Sequence, residues 1–434
     1  MQPFYWLIYS IAEHFTERLY LIERSSLTHM REKKIAMDKK LMVFILSTVP
    51  FLMVLGNSML IPEFPNIKSQ LDITQFEVGL LITFFSAPAA LAIPFLGYLS
   101  DRIGRKIIII PGVILYGLGG VLSGLAAAFI NNPYTLILAG RVVQGIGAAG
   151  TAPIAMALAG DMFKTEERSE SMGILEAANG MGKVLSPIIG AAVALIVWYA
   201  LFFSYAILSI PIALLIWFLV KEPEGNVQKT PFKEYFKTII SIFDQKGIAL
   251  LFNFLGGMVV LFVLFGVLSF TSDILVTEFN LEGITKGAVL SIPLLSMSVT
   301  AYLTGLYLKK KGKYYKISYL AGLIIVSIAM SLLTFCCSHM ILFPTVLALL
   351  GFGSGLVLPA INTMVTSATQ SEQRGGVTSL YGSVRFIGVA LGPPAFSLLQ
   401  DGGNLLMFLT GGALTLAVGI LGFIFINEQR IMNQ

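Results

Sequence analysis

A short polar segment reads Gly97-Tyr98-Leu99-Ser100-Asp101-Arg102-Ile103-Gly104-Arg105-Lys106. It separates two apolar runs, 78–98 and 107–130, each about as long as the ~20 residues that a helix needs to cross a bilayer. The segment is therefore predicted to turn the chain around at a membrane surface, where Gly104 permits a backbone turn with positive φ. The alternative interpretation is a short basic loop that only fixes the orientation of its two helices.

The same pattern recurs 208 residues later, from Gly305 to Lys313, with the glycines and the basic positions retained. Its clear difference is that Lys309 stands at the position equivalent to Asp101. A repeat at about half of the chain length indicates two fused homologous halves. Other glycines repeat at a spacing of 206 or 208 residues, namely Gly145 with Gly353, Gly147 with Gly355, and Gly182 with Gly388.

The composition places the chain in a membrane, because 56% of its 434 residues are hydrophobic and only 12% are charged. The amino-acid order predicts an all-α integral membrane protein with twelve transmembrane helices. The twelve apolar stretches lie near residues 41–62, 77–98, 107–130, 134–158, 171–195, 198–220, 248–271, 286–308, 317–337, 341–365, 377–399 and 404–427.

The longest polar segment between two of these stretches, 221–247, divides them six and six. We therefore expect a six-helix N-terminal domain over 37–220 and a six-helix C-terminal domain over 248–428. The segment 221–247 is interpreted as a cytoplasmic linker, and 429–434 as a cytoplasmic tail.

Residues 1–36 are interpreted as a leader that is either disordered or the product of a misassigned start, because Met37 and two lysines stand just before the first span.

The charges between the spans predict the orientation. The Lys and Arg residues between spans lie on the same side of the membrane as Lys39 and Lys40, except for Lys68 and Lys286, which lie on the other side. By the positive-inside rule, both termini then face the cytoplasm of a multi-pass protein in the cell membrane.

Enzyme chemistry is not expected, because the sequence shows no metal-ligand cluster, nucleophile elbow or phosphate loop. No cofactor or metal is expected either. The net charge of +5 is attributed to cations that flank membrane spans rather than to nucleic-acid binding. The expected partners are a small-molecule substrate, protons and the lipid bilayer, with the protein acting as a monomer.

Polar residues occur inside the first and fourth spans. The first span ends in L-G-N-S-M-L-I-P-E-F-P over 55–65, which places Asn57 at membrane depth. The fourth span carries R-V-V-Q-G-I-G-A-A over 141–149, in which Arg141 and Gln144 share a helix face. Because an arginine at membrane depth costs ~2.5–3.5 kcal/mol on insertion scales, Arg141 is predicted to face a cavity or a polar partner. The alternative is that its side chain reaches the membrane surface.

The fifth and eleventh spans share a pattern of glycine and proline. Small residues and a proline leave a bent groove in which another helix can lie at close range. The predicted packing positions are Gly173, Gly182, Pro187 and Gly190 in the fifth span, and Gly388, Gly392 and Pro393 in the eleventh.

Together these motifs resemble those of the major facilitator superfamily, and in particular its twelve-span drug:proton antiporters. The loop resembles G-x-x-x-D-R-x-G-R-K, the first span L-G-x-x-x-x-x-P-x-x-P, and the fourth span R-x-x-Q-G-x-G-x-A. The fifth span resembles the antiporter pattern G-x8-G-x3-G-P-x2-G-G, with Ser186 and Ala191 replacing two glycines. The resemblance implies two pseudo-symmetric six-helix bundles around a central cavity, in which inward proton movement drives outward movement of substrate.

The resemblance also implies that the first loop is a conformational latch at the cytoplasmic side. Asp101 is expected to contact the amino end of the eleventh span in the outward-facing state, where the helix dipole attracts an anion. Arg105 is expected to pair with Asp161, and Lys309 to meet acidic residues at the start of the fifth span. The predicted latch consists of Gly97, Asp101, Arg102, Gly104, Arg105, Asp161 and Lys309.

Four ionisable residues are predicted inside the spans: Arg141, Glu176, Lys183 and Arg385. Glu176 is the one carboxylate among them, and we expect it to carry the coupling proton, with Arg141 influencing its protonation. A structural ion pair between Glu176 and Lys183 or Arg385 is the alternative. The substrate cavity is predicted to be lined by Asn57, Arg141, Gln144, Glu176, Lys183, Asn253, Asn362, Tyr381 and Arg385.

Three cations and one acid in this cavity would repel cations and attract anions. We therefore expect a proton-coupled exporter of a small amphipathic molecule that is anionic or phenolic, such as the catecholate siderophores that some relatives export. If the cations instead pair with helix-end carbonyls, the cavity is neutral. The alternative functions are a broad-specificity multidrug exporter of lipophilic cations, a metabolite transporter without antiport, and a membrane sensor.

Overall fold

The computed structural model describes residues 39–163, 165–222, 232–311, 313–368, 374–428 and 431. Within these ranges the ordered elements are helices, and no strand occurs. The predicted leader, 1–36, and most of the predicted tail lie outside the described residues. The helices are α1 (39–58), α2 (Phe64–Leu71), α3 (Gln75–Ile103), α4 (Arg105–Phe129), α5 (Tyr134–Ala149), α6 (Ala152–Met162), α7 (Thr165–Ala194), α8 (Ala200–Leu219), α9 (Phe232–Thr277), α10 (Gly283–Lys311), α11 (Tyr315–Cys336), α12 (Leu342–Ser367), α13 (Arg374–Gln400) and α14 (Asn404–Phe425).

Eleven segments of the described ranges are long and apolar enough to cross a membrane. The first of them, Lys39–Leu71, joins α1 to α2, and the fourth, Tyr134–Met162, joins α5 to α6. The predicted fifth span, α7, is 30 residues long but less apolar, because it carries Glu176, Asn179 and Lys183. With α7 included, the described chain contains the twelve membrane-length helices that the sequence predicts.

The first loop is shorter than its polar sequence suggests, because helix α3 continues to Ile103 and α4 begins at Arg105. Gly104 alone makes the turn, with φ of 110°, a conformation that glycine adopts without the steric cost of a Cβ. The prediction of a positive-φ turn at this residue is confirmed. The two membrane helices are therefore connected by a single residue.

The two halves of the molecule have matching internal contacts. In the first half α4 packs against α5 and α8, and in the second half α11 packs against α12 and α14. Two seams join the halves, one between α3 and α13 and the other between α7 and α10. This arrangement confirms the predicted fold of two pseudo-symmetric six-helix bundles.

The apolar part of the seventh span begins at Gly247, one residue from its predicted start, but the helix that contains it begins earlier. Helix α9 runs without a break from Phe232 to Thr277, whereas the sequence boundary was placed at residue 248. Hydrophobicity marks only the part of a helix that lies in lipid, and the backbone hydrogen bonds of a helix continue through polar residues. The helix therefore occupies about half of the segment interpreted as the linker 221–247.

The two ends of the molecule differ in how closely the halves meet. We name the end that carries Gly104 the inner end, following the predicted orientation, and the opposite end the outer end. At the outer end Lys68 Nζ lies 2.9 Å from Asp273 Oδ1, and Ser272 Oγ donates to the Pro62 carbonyl at 3.0 Å. Both contacts join the first half to the second. The halves are therefore closed together at the outer end and diverge toward the inner end, where a cavity opens.

Candidate functional site

A cavity of about 2170 Å³ lies between the two halves. Its wall is formed by α1, α3, α6 and α7 of the first half and by α9, α10, α12 and α13 of the second. At the inner end it reaches Asp101, Asp161 and Thr378, so the cavity is open on the predicted cytoplasmic side. The predicted site residues that line it are Asn57, Glu176, Lys183, Asn362, Tyr381 and Arg385.

Charged side chains reach the cavity from both halves. Helix α7 contributes Glu176 and Lys183, which are two helical turns apart and lie on one face. Helix α13 contributes Arg385, whose guanidinium carbon lies 5.5 Å from the centroid of the Tyr381 ring. The ion pairs of the described residues include none of these three charges. The ion pair considered as an alternative for Glu176 is therefore not formed in this conformation.

Several buried polar atoms of this region have no hydrogen-bond partner among the described residues. They include Arg385 Nε and Tyr381 OH on α13 and Ser298 Oγ on α10. Ser298 lies at the seam with α7, since a Cβ placed on Gly180 would be 3.5 Å from its hydroxyl. A buried polar atom without a partner costs about 1–3 kcal/mol, so this wall is suited to a polar ligand or to ordered water.

Arg141 and Gln144 do not line the cavity, which corrects the prediction for both. Arg141 is completely buried, and its guanidinium donates to the Leu81 carbonyl at 2.9 Å, to Gln144 Oε1 at 2.6 Å and to Asn57 Oδ1 at 2.8 Å. Arg141 therefore links α1, α3 and α5 within the first half. This position does not support a direct effect of Arg141 on the protonation of Glu176.

Asn253 was also predicted to line the cavity, and this prediction is wrong. Its side chain is completely buried, and Nδ2 donates to the Ala249 carbonyl one turn earlier on α9 at 2.8 Å. Helical periodicity shows which residues share a face, but packing decides toward which neighbour that face points. For Arg141 that neighbour includes the Phe85 ring, whose centroid lies 4.5 Å from the guanidinium carbon.

The predicted latch residues meet at the inner end of α3. Arg105 Nη1 lies 2.5 Å from Asp101 Oδ1, and Arg105 Nε lies 2.9 Å from Asp161 Oδ2 on α6. The predicted contact between Arg105 and Asp161 is therefore present. Gly97 lies against α13, because a Cβ at this residue would be 3.1 Å from Ser379 Oγ.

Arg102 and Lys309 are the other charged residues of the predicted latch. The Arg102 guanidinium lies 5.3 Å from the Tyr98 ring centroid. Lys309 is exposed, and the ion pairs of the described side chains do not join it to Glu167, whose Oε1 lies 2.7 Å from Lys39 Nζ.

Two carboxylates that sequence reasoning did not select bind helix amino ends. Glu222 accepts from the backbone N–H of Arg105 at 2.6 Å and of Lys106 at 3.1 Å, at the start of α4. Glu428 accepts in the same way from Tyr315 and Lys316 at the start of α11, at 3.4 and 3.3 Å. These glutamates are 206 residues apart, so the internal repeat was the signal that could have identified them.

A buried charge pair at the outer end was also missed. Glu63 Oε1 lies 3.9 Å from Lys286 Nζ, and both residues are 5% exposed. Glu63 follows α1 in the first half and Lys286 belongs to α10 in the second. From the sequence, Lys286 is interpreted only as a cation on the outer side of the membrane. In the structure it contacts Glu63 of the other half and helps to hold the two halves together.

The glycine pattern produces close helix contacts at most of its predicted positions. A Cβ at Gly182 would meet Phe51 and Val54 of α1, and a Cβ at Gly190 would collide with the carbonyl of Met59. In the second half Gly388 and Gly392 lie in the same way against the backbone of α9 at Met258 and Phe262. Pro187 and Pro393 lie on the seams, because the nearest atoms to Cβ atoms placed on Gly287 and Gly79 belong to them. Gly173 is the exception, since nothing lies within 4 Å of a Cβ there and the residue faces the cavity.

The family model of the Major Facilitator Superfamily matches this chain over residues 46–393 and 273–431. The chain belongs to the major facilitator superfamily. It is therefore a multi-pass membrane transporter of a small-molecule substrate and not an enzyme. Its fold is also that of a bacterial homologue of the human lysosomal transporter Spinster, solved in an inward-facing and unoccupied conformation. That structure superposes with a TM-score of 0.72 at 18% identity and covers 91% of this chain and 98% of its own.

Two bacterial proteins are similar in sequence over most of their length. The "Bacillibactin exporter" of Bacillus subtilis (strain 168) is 42% identical over 369 residues, which are 85% of this chain and 92% of the relative. The "Multidrug resistance protein 1" of the same organism is 28% identical over 381 residues, which are 84% of this chain and 91% of the relative. The sequence resemblance to exporters of this superfamily is therefore confirmed.

Proposed function

We propose that this protein exports a siderophore-like small molecule from the cytoplasm in exchange for protons. The observation that carries the proposal is the charged wall of the cavity. Glu176 faces an inner-open cavity without an ion-pair partner in the described chain, and Lys183 and Arg385 face the same space. A wall with one proton-binding group and two cations can exchange a proton for an acidic substrate.

The substrate class is supported by the relative and by the size of the cavity. The relative that shares 42% identity is a bacillibactin exporter, and bacillibactin is a siderophore. The volume of about 2170 Å³ exceeds the roughly 300–1,000 Å³ of ordinary small-ligand pockets. A cavity of this size accommodates a bulky, multiply functionalised molecule as well as small drugs.

Proton coupling is assigned to Glu176. When this carboxylate is ionised, its negative charge compensates part of the positive charge of Lys183, and protonation removes that compensation. The charge of the wall, and with it the affinity for a charged substrate, therefore depends on whether Glu176 carries the proton. Substrate affinity and protonation are linked in this way without any direct contact between substrate and proton.

The inner latch is proposed to act when the halves close at the inner end. Asp101, Arg105 and Asp161 are already clustered at the mouth of the cavity, and Gly97 lies beside α13. On closure, Asp101 would meet the amino end of α13, where backbone N–H groups attract an anion. We also propose that the protein is a monomer with both termini in the cytoplasm of the cell.

The function is tested by uptake into inverted membrane vesicles, which expose the cytoplasmic side. A proton gradient that is acid inside should drive accumulation of radiolabelled bacillibactin, and collapse of the gradient should abolish it. Vesicles without the protein give the background. Absence of gradient-dependent uptake by the wild type would overturn the proposal of proton-coupled siderophore export.

The second candidate is a broad-specificity exporter of lipophilic cations. The observation that favours it is the acidic Glu176 in the cavity, together with the similarity to a multidrug resistance protein. The same vesicles distinguish the two candidates. Gradient-driven uptake of a lipophilic cation dye without uptake of the siderophore would support the multidrug function.

A further inference from the structure

We propose that Lys183 and Arg385 form one anion-binding subsite shared by the two halves, and that an anion bound there draws the halves together. The inference rests on the proposed function, because it assigns the acidic group of the exported molecule to a place in the cavity. The ligand group is a carboxylate or phenolate attached to an aromatic ring. The subsite thus determines which molecules start the conformational change.

The two cations belong to different moving parts. Lys183 is on α7 of the first half, and Arg385 is on α13 of the second half. Both side chains line the same cavity. Neither has an ion-pair partner in the described chain. The cavity therefore presents one cation on each half, and their mutual repulsion, which ionised Glu176 reduces in part, opposes closure.

Other cations between helices show what a structural role looks like in this protein. Arg105 is paired with Asp101 and Asp161 at the inner end, and Lys286 is paired with Glu63 at the outer end. Lys183 and Arg385 differ because they face the cavity and form no ion pair with a carboxylate of the described chain. An anion from solution fits this position by charge.

The surroundings of the subsite suit an aromatic acid. The face of the Tyr381 ring supports the Arg385 guanidinium at 5.5 Å, while Arg385 Nε is a buried donor without a partner in the described chain. Ser298 adds a hydroxyl without a partner, and Leu261 and Phe265 add apolar wall on α9. The carboxylate of a planar acid can accept hydrogen bonds from the two cations while its ring packs against the apolar side.

A bound anion replaces repulsion across the cavity with attraction to both halves. A charge-assisted hydrogen bond contributes about 1.5–3 kcal/mol, and here the two partners approach only when the halves do. The anion therefore binds more tightly to the closed arrangement, which shifts the population toward it. A neutral analogue of the same shape lacks this effect.

The first experiment measures binding to purified full-length protein by isothermal titration calorimetry. The probes are 3,4-dihydroxybenzoate and its neutral amide, 3,4-dihydroxybenzamide. We expect the wild type to prefer the acid, and Lys183→Gln and Arg385→Gln each to weaken acid binding by a factor of about 10 to 100. Arg385→Lys, which retains the charge, should recover part of the loss, and Lys310→Gln, at an exposed residue, should bind like the wild type. Equal binding of acid and amide by the wild type, or an unchanged acid affinity in both Gln variants, would overturn the subsite.

The second experiment follows closure of the inner end. Gly173→Cys places a thiol in the open cavity, in a protein whose Cys336 and Cys337 are replaced by alanine. The acid should slow labelling by a membrane-impermeant thiol reagent at least about threefold, and the amide should not. In the Arg385→Gln background the acid should lose this effect. An equal rate with and without saturating acid would overturn the bridging role.

The two proposals fail in different ways. Gradient-driven siderophore uptake that does not depend on Lys183 or Arg385 would leave the exporter function intact and overturn the subsite. Acid-selective binding without gradient-driven uptake would support the subsite and overturn proton-coupled export.

Discussion

Glu63 and Lys286 face each other across the two halves at the outer end, with Oε1 and Nζ 3.9 Å apart and both side chains almost completely enclosed. Asn66 Nδ2 donates to the second oxygen of Glu63 at 3.1 Å. The pair is therefore a buried electrostatic contact between two bodies that must separate when the outer end opens. Its energy belongs to one conformation of the transport cycle and not to the fold of either half.

Substitution Lys286→Met should favour the outward-open conformation. Removal of one partner of a buried ion pair leaves the other uncompensated, at a cost of about 3–5 kcal/mol, and Glu63 regains water only if the outer end opens. A thiol at Ser272→Cys, which is inaccessible in the closed outer end, should then react faster with an impermeant reagent. The double variant Glu63→Gln/Lys286→Met should return toward the parent rate. An unchanged rate in the single variant would contradict a role of the pair in closure.

Substitution Asp101→Asn should reduce export at least about tenfold without preventing insertion or folding. The carboxylate contacts Arg105 at 2.5 Å, and loss of one charge-assisted contact costs about 1.5–3 kcal/mol, which is enough to disturb a balance between two conformations. Vesicle uptake normalised to the amount of folded protein measures the effect. Asp72→Asn is the matched control, because Asp72 is exposed at the outer end of α2. Normal export by Asp101→Asn would reject the latch.

Substitution Glu176→Gln should separate substrate binding from proton-driven movement. The amide keeps the shape of the side chain but cannot release a proton, so uphill accumulation should be lost. Exchange of labelled for unlabelled substrate across vesicles without a gradient should persist. If this variant still concentrates substrate under a proton gradient, another group carries the coupling proton.

Substitution Glu222→Gln should lower the melting temperature more than Glu428→Gln does. Glu222 accepts from two backbone N–H groups at 2.6 and 3.1 Å, whereas Glu428 accepts at 3.4 and 3.3 Å. Loss of a carboxylate at a helix amino end costs about 0.5–2 kcal/mol, and shorter contacts are the stronger ones. Thermal unfolding of the purified variants measures the order, and the opposite order would contradict the ranking of the two caps by hydrogen-bond distance.

Two glycines of α7 provide a matched pair of alanine substitutions. Gly190→Ala should destabilise the protein by about 1–3 kcal/mol, because the new methyl group collides with the carbonyl of Met59, the residue after α1. Gly173→Ala should be neutral or slightly stabilising, since open space surrounds the position and alanine favours a helix by about 1 kcal/mol over glycine. Thermal melting distinguishes them, and equal losses would mean that the groove between α7 and α1 is not needed.

The sequence predicts features that depend on local chemistry. The apolar stretches give the spans, the spacing of Gly97 and Gly305 gives the duplication, and the φ of Gly104 follows from its place between two helices. The ion pair of Arg105 with Asp161 was predictable because the family resemblance supplied the partner.

Features that depend on the rotation of one helix against another were not predictable in this way. Arg141 and Lys183 are both cations inside spans, but the first is enclosed by α1, α3 and α5 whereas the second faces the cavity. Their local sequences do not distinguish these outcomes. The pairing of Glu63 with Lys286 was hidden for the same reason, because it exists only when two distant parts of the chain are closed together.

The low apolar content of α7 has a consequence for biosynthesis. A charged residue near the middle of a helix adds about 2.5–3.5 kcal/mol to the cost of insertion by the translocon, and α7 carries both Glu176 and Lys183. The next helix, α8, carries no charged residue and follows after a five-residue connection, 195–199. We therefore expect the nascent chain to insert α7 together with α8 as a hairpin, in which the apolar α8 offsets the cost of placing Glu176 and Lys183 in the bilayer.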